Sequence, residues 1–131
     1  MSRILLVEDE ELNRTLVKAV LSRAADTSVR DAEVVDATSL AAARERLATD
    51  ARVDLVLLDM NLPDGNGLTL ARELAEAGGP RPTVVAVTAS VLPQERAAAL
   101  DAGCDDFLDK PYAAADLVAT VSRHLHPEPR S

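Results

Sequence analysis

The sequence predicts an α/β domain built on one parallel sheet. Two observations predict it. Five short apolar runs alternate with five amphipathic stretches from one end of the chain to the other. The third and fourth of those runs are almost uninterrupted Val, Leu and Ala, as expected of central strands covered on both faces.

The elements follow in order. RILLV (3–7) is the first strand. EELNRTLVKAVLSRA (10–24) is a helix, with Leu12, Leu16, Ala19, Val20 and Ala24 expected on its inward face. AEVVDA (32–37) is a second, weaker strand, and TSLAAARERLA (38–48) a helix with Thr38 or Ser39 as N-cap. VDLVLL (53–58) is the third strand. GLTLARELAEA (67–77) repeats Leu70, Ala71 and Leu74 at helical spacing and stops at Gly78 and Gly79. PTVVAVT (82–88) is the fourth strand, with Pro82 tolerated at its first position. PQERAAALDAG (93–103) is a helix opened by Pro93 and closed by Gly103. DDFLD (105–109) is the fifth strand. In AAADLVATVSRHL (113–125), Ala114, Leu117, Val121 and Leu125 are expected inward. The domain is read as residues 1–126, followed by a short flexible tail over 127–131.

Composition narrows the function. The 131 residues fit one core, and 47% hydrophobic residues with only 2% aromatic ones make it an aliphatic core. No apolar run is long enough to span a membrane, and MSRILLVEDEE lacks the apolar segment of a signal peptide. A single cysteine excludes an internal disulfide and any multi-cysteine metal site. These features favour a cytoplasmic protein. The net charge of −8 argues against direct nucleic-acid binding and implies that any metal is a hard cation held by oxygen.

Parallel sheets of this kind bind ligands at the carboxyl ends of their strands. The first strand ends in Glu8 and Asp9, with Glu10 next; the third ends in Asp59, the fourth in Thr88 and the fifth in Lys110. If the first and third strands are neighbours, Glu8, Asp9 and Asp59 converge, and converging carboxylates demand a cation. Mg²⁺, with Mn²⁺ as substitute, takes one or two carboxylates plus waters and phosphate oxygens. Lys110 adds a positive charge and Thr88 a hydroxyl. Together these groups suit phosphoryl transfer, which needs positioning and charge neutralisation above all. Asp59 is the best candidate nucleophile, giving an aspartyl phosphate. Pro63 and Gly65 turn the following loop sharply and keep the mouth of the site open.

Four segments in order, ILLVEDE, LLDMNLPDGNG, VVAVTA and FLDKP, resemble the response-regulator receiver domain of two-component signalling over roughly the whole chain. The resemblance implies a flavodoxin-like, doubly wound (βα)5 fold with strand order 2-1-3-4-5. It implies that Asp59 is the phosphoacceptor and that Asp9 binds Mg²⁺ directly. Glu8, standing where the family more often has Asp, acts through water, and Asn61 lends its backbone carbonyl. Thr88 becomes the switch hydroxyl, Ala89 the small residue that leaves it room, Phe107 the rotating aromatic, and Lys110 the partner of a phosphoryl oxygen. The bond between Lys110 and Pro111 is expected to be cis. The implied donor is a histidine kinase or a histidine phosphotransfer protein in a phosphorelay. The implied output is a downstream protein docking on the face of the fourth helix, fifth strand and fifth helix, with a monomer or a weak dimer through that face. Such a receiver catalyses only its own phosphorylation and dephosphorylation.

Rival readings fit less well. A P-loop needs glycines and a lysine after the first strand, where EDEELN stands instead. A flavin carrier fails there too and lacks flanking aromatics, while an aspartate phosphatase would need a lid. A receiver in which phosphorylation is vestigial and docking alone persists is the serious alternative. Cys104 reads as a small buried packing residue, and His124 and His126 as solvated. The chain is either a stand-alone receiver or one domain of a longer polypeptide; Met1 close to the first strand favours a receiver that begins its own protein.

Overall fold

The computed structural model of the chain describes residues 2–49, 53–76, 82–89, 92–110 and 112–125. The expected ends of the third helix at Gly78 and Gly79, the peptide bond before Pro111, His126 and the tail lie outside them. The elements are β1 (Arg3–Val7), α1 (Glu11–Ser22), α2 (Thr27–Arg30), β2 (Glu33–Ala37), α3 (Leu40–Thr49), β3 (Leu55–Asp59), β4 (Asn61–Leu62), β5 (Gly65–Asn66), α4 (Leu68–Glu76), β6 (Thr83–Thr88), α5 (Pro93–Ala102), β7 (Asp106–Asp109) and α6 (Ala114–Leu125).

The main sheet has the order β2-β1-β3-β6-β7 with every pairing parallel, which is the predicted order 2-1-3-4-5. Alternation along each strand sorts the core into two layers. Leu5, Val7, Val56, Leu58, Val84 and Ala86 pack under α3, α4 and α5. Ile4, Leu6, Leu55, Leu57, Val85 and Val87 pack under α1, α2 and α6. β3 is buried at every position, including Asp59 at its end.

Three expectations need correction. On α1 the buried residues are Val17 and Leu21, with Ala24 just beyond; Leu12 and Leu16 are 70% and 53% exposed. The helix carries two apolar stripes offset by one residue, and hydrophobic spacing alone does not choose between them. Packing does: Val17 and Leu21 sit over Ile4, Leu6 and Leu57. On α6, Leu117, Thr120 and Val121 are buried and Leu125 partly so, but Ala114 is exposed in the first turn. His124 is not solvated: its Nε2 lies 2.9 Å from Asp106 Oδ2, and Arg123 joins the same carboxylate.

Three elements, α2, β4 and β5, carry no period long enough to read. α2 is a single turn whose N-cap, Asp26, accepts from the Ser28 amide and also takes a hydrogen bond from Ser122 on α6. β4 and β5 form a miniature antiparallel hairpin directly after Asp59.

The reassigned α1 face gives a direct test. Leu21→Ala should cost about 2–5 kcal/mol of unfolding free energy. Leu12→Ala should stay within about 0.5 kcal/mol. Urea denaturation of the two variants checks the assignment; equal losses would restore the original stripe.

Candidate functional site

The site grows out of the carboxyl edge of the sheet, where the strands stop but their ladder does not. Past β1, the Glu8 amide donates to Ala37 O; past β3, Met60 N donates to Val87 O; past β7, Lys110 N donates to Thr88 O at 2.8 Å. Backbone bonds therefore fix Glu8 and Lys110, and Asp59 is fixed as the last residue of β3. Glu8 and Asp59 are almost fully buried, whereas Asp9 is exposed.

Carboxylate oxygens of Glu8, Asp9 and Asp59 lie within 4.8 Å of one another. Lys110 Nζ stands 3.5 Å from Asp59 Oδ2 and 4.0 Å from Glu8 Oε1. Burial pushes the Glu8 carboxyl above its ordinary range, and the charge of Asp59 adds to this. The Glu10 amide, Lys110 and Asn13 oppose it. Burial also raises the Tyr112 hydroxyl, with further upward pressure from Glu8 and Asp59. Among the described residues, Lys110 is the ammonium that stands beside these three carboxylates, which carry more negative charge than it balances when all are ionised. Three hard oxygen donors with that excess fit a small divalent cation. Glu8, Asp9 and Asp59 are the residues that would hold it.

Thr88 ends β6 and lines a cavity of about 160 Å³ with Met60, Ala86, Ala99 and Phe107. Ala89 follows Thr88 at the opposite rim, in a groove with Leu16, Val20, Lys110 and Tyr112. Asn61 lies in the hairpin, paired with Asn66. Gly67 closes the hairpin onto the site: a Cβ there would come within 2.6 Å of the Asp59 carbonyl oxygen. Pro111 lies outside the described residues.

Sequence reasoning missed Asp64. Its two carboxylate oxygens accept from the Leu40 and Ala41 amides at 2.9 and 3.0 Å, so the loop that follows Asp59 caps the N-terminus of α3. Those two amides hold the Asp64 carboxyl below its usual range. Ser39, rather than Thr38, supplies the local cap, accepting from Ala42 N. Only the Pro63–Asp64–Gly65 turn signal hinted at a special role for Asp64, and it pointed to the turn alone.

The chain matches the response regulator receiver domain over residues 4–122. It belongs to that family. Among relatives, the two-component response regulator ORR41 of Oryza sativa subsp. japonica is 38% identical over 123 residues, covering 94% of each chain. The aerobic respiration control sensor protein ArcB of Escherichia coli (strain K12) is 37% identical over 92% of this chain. The KDP operon transcriptional regulatory protein KdpE of the same strain is 34% identical over 92% of it. The receiver spans only 15% of ArcB and half of KdpE. A two-component response regulator from Clostridium difficile shares the fold with a TM-score of 0.83 at 24% identity, over 97% of this chain and 98% of that one. Receiver domains are phosphoacceptor modules of two-component systems that generally bind Mg²⁺ at an acidic pocket, and Glu8, Asp9 and Asp59 form an acidic cluster able to hold a metal ion here. Among the described residues no helix is long and apolar enough to cross a membrane.

The Asp64 cap carries a pH signature. Its carboxyl is depressed in the folded state, so its contribution is complete above the ordinary carboxylate range near 3.8 and fades as pH falls through the folded value. Asp64→Ala should unfold at lower urea than the wild type at neutral pH. The two denaturation midpoints should converge as the medium is acidified below that range. A gap that persists unchanged in acid would remove the cap from the account.

Proposed function

We propose that the receiver takes a phosphoryl group on Asp59 from a phosphohistidine of a histidine kinase or histidine phosphotransfer protein. In that step the phosphorus–nitrogen bond of the donor breaks, an Asp59 carboxylate oxygen forms the new bond to phosphorus, and the released imidazole takes up a proton. The observation that carries the reading is the Asp59 carboxylate, buried at the end of a fully buried strand, with Lys110 at 3.5 Å and two further carboxylates beside it. The bound Mg²⁺ would neutralise charge on the transferring oxygens. Glu8, Asp9 and Asp59 would hold it with the Asn61 backbone carbonyl. Lys110 orients and balances one phosphoryl oxygen. Thr88 moves towards another, and Phe107 turns into the space behind it, reshaping the face of α5, β7 and α6 for a downstream protein. The chain catalyses only its own phosphorylation and dephosphorylation, works in the cytoplasm without contacting nucleic acid, and pairs weakly at most through that face. Residues 1–126 form the receiver and 127–131 its tail.

A protein donor must bring its imidazole to Asp59, and the exposed stripe of α1 borders that approach. Leu16 lines the groove that also contains Lys110 and Ala89, which makes an apolar helix bearing the phosphohistidine a fitting occupant.

Intact mass after treatment with acetyl phosphate tests the chemistry. The wild type should gain one phosphoryl group only with Mg²⁺, Asp59→Asn should gain none, and Asp9→Ala should lose the dependence on Mg²⁺ along with most labelling. A wild type that never labels would leave the vestigial, docking-only receiver. Leu16→Asp should slow transfer from a phosphorylated histidine protein by about ten-fold or more while leaving acetyl phosphate labelling intact. Equal slowing with both donors would remove α1 from the docking surface.

A further inference from the structure

Arg96, near the start of α5, stands outside the acidic pocket yet touches two residues that lead into it. Its Cζ lies 5.0 Å from the centre of the Phe107 ring. Its Nη2 donates to both carboxylate oxygens of Asp109, at 2.8 and 2.7 Å. Phe107 and Asp109 are two residues apart on β7, so their side chains leave the same face of the sheet, the face that α5 covers. A planar guanidinium can lie over a ring and bond a carboxylate with its edge at the same time, which a compact ammonium does less well.

Both contacts bear on the proposed switch. The cavity behind Thr88 is open, and the Phe107 ring forms part of its wall without filling it. Asp109 pairs in register with Thr88, and the next residue, Lys110, donates its amide to Thr88 O and faces Asp59. One side chain on α5 therefore restrains the aromatic and the end of the strand that carries Lys110.

We infer that Arg96 sets the resting position of the switch: its guanidinium holds Phe107 at the rim of the cavity and ties the end of β7 to α5, so the inward turn of the ring requires this contact to break. The inference rests on the switch reading given above and adds to it the residue that biases the switch. Arg96 is a positioning residue, acting through Phe107 and Asp109. The ion pair is partly exposed, with side-chain exposures of 37% and 47%. Contacts of this kind are weak, so the bias is roughly two- to five-fold, small enough for phosphorylation to overcome. By linkage, any ligand that prefers the inward state should bind more tightly by the same factor once the contact is removed.

Amide NMR of the full chain tests this. Wild-type spectra with and without beryllofluoride and Mg²⁺ define the two ends of the path at Thr88, Phe107 and α6. Without beryllofluoride, Arg96→Gln should already be displaced along that path. It should also bind beryllofluoride about two- to five-fold more tightly. Asp109→Asn should move the same way, and Arg96→Lys should fall between Arg96→Gln and wild type. A merely structural role would change the melting temperature without moving Thr88 and α6 along the path. If wild-type Phe107 responds to beryllofluoride while Arg96→Gln starts from the wild-type position with unchanged affinity, the latch is wrong and the switch stands. If wild-type Phe107 does not respond, the switch reading falls and the latch falls with it.

Discussion

Two carboxylates, those of Glu8 and Asp59, are held nearly out of water at one edge of an aliphatic sheet. Burial of charge is costly unless a counter-charge or a cation shares the site. Among the described residues, the ammonium of Lys110 faces these two and the exposed Asp9. Much of the surrounding structure can be understood as holding that unfavourable cluster in place. The parallel ladder runs on past the strand ends, so backbone bonds rather than side-chain attraction fix Glu8 and Lys110. The apolar strand β3, covered on both faces, fixes Asp59. An excess of negative charge held in place is what makes such a cluster receptive to a divalent cation.

The loop beyond Asp59 shows the same economy of means. A hairpin of two-residue strands turns the chain back, Gly67 allows it to lie against the Asp59 carbonyl, and Asp64 anchors its tip on the first amides of α3. The loop is thus tied at both ends to elements of the core. The carbonyl ligand proposed for Asn61 would need that definition, because a carbonyl cannot search rotamers as a side chain can.

Outside the pocket, the two sheet faces carry different features. Helices α1 and α6 leave a groove that opens beside Lys110 and Ala89, with Leu16 exposed along it. Helix α5, on the opposite face, reaches β7 through Arg96 and borders the cavity behind Thr88. In the proposed reading the groove beside α1 would receive the donor, and the edge formed by α5, β7 and α6 would report its arrival, with the strand ends common to both.

By itself the sequence determined the five-strand alternation, the aliphatic layers and the placing of Glu8, Asp9, Asp59, Thr88 and Lys110 at strand ends, because these depend on local periodicity and on where each apolar run stops. The order of strands came from the resemblance of four motifs to a family, since no local pattern states which strands are neighbours. Tertiary structure alone decided the rest. It chose between the two apolar stripes of α1, exposing Leu12 and Leu16 and burying Val17 and Leu21, because the phase of an amphipathic helix is set by the surface it meets. It made Asp64 a cap for a helix 24 residues away in sequence, and drew His124 to Asp106 across 18. It laid Arg96 over Phe107 and against Asp109. Each of these is a contact between elements, and its energy depends on distances that no residue's own neighbours in the chain contain.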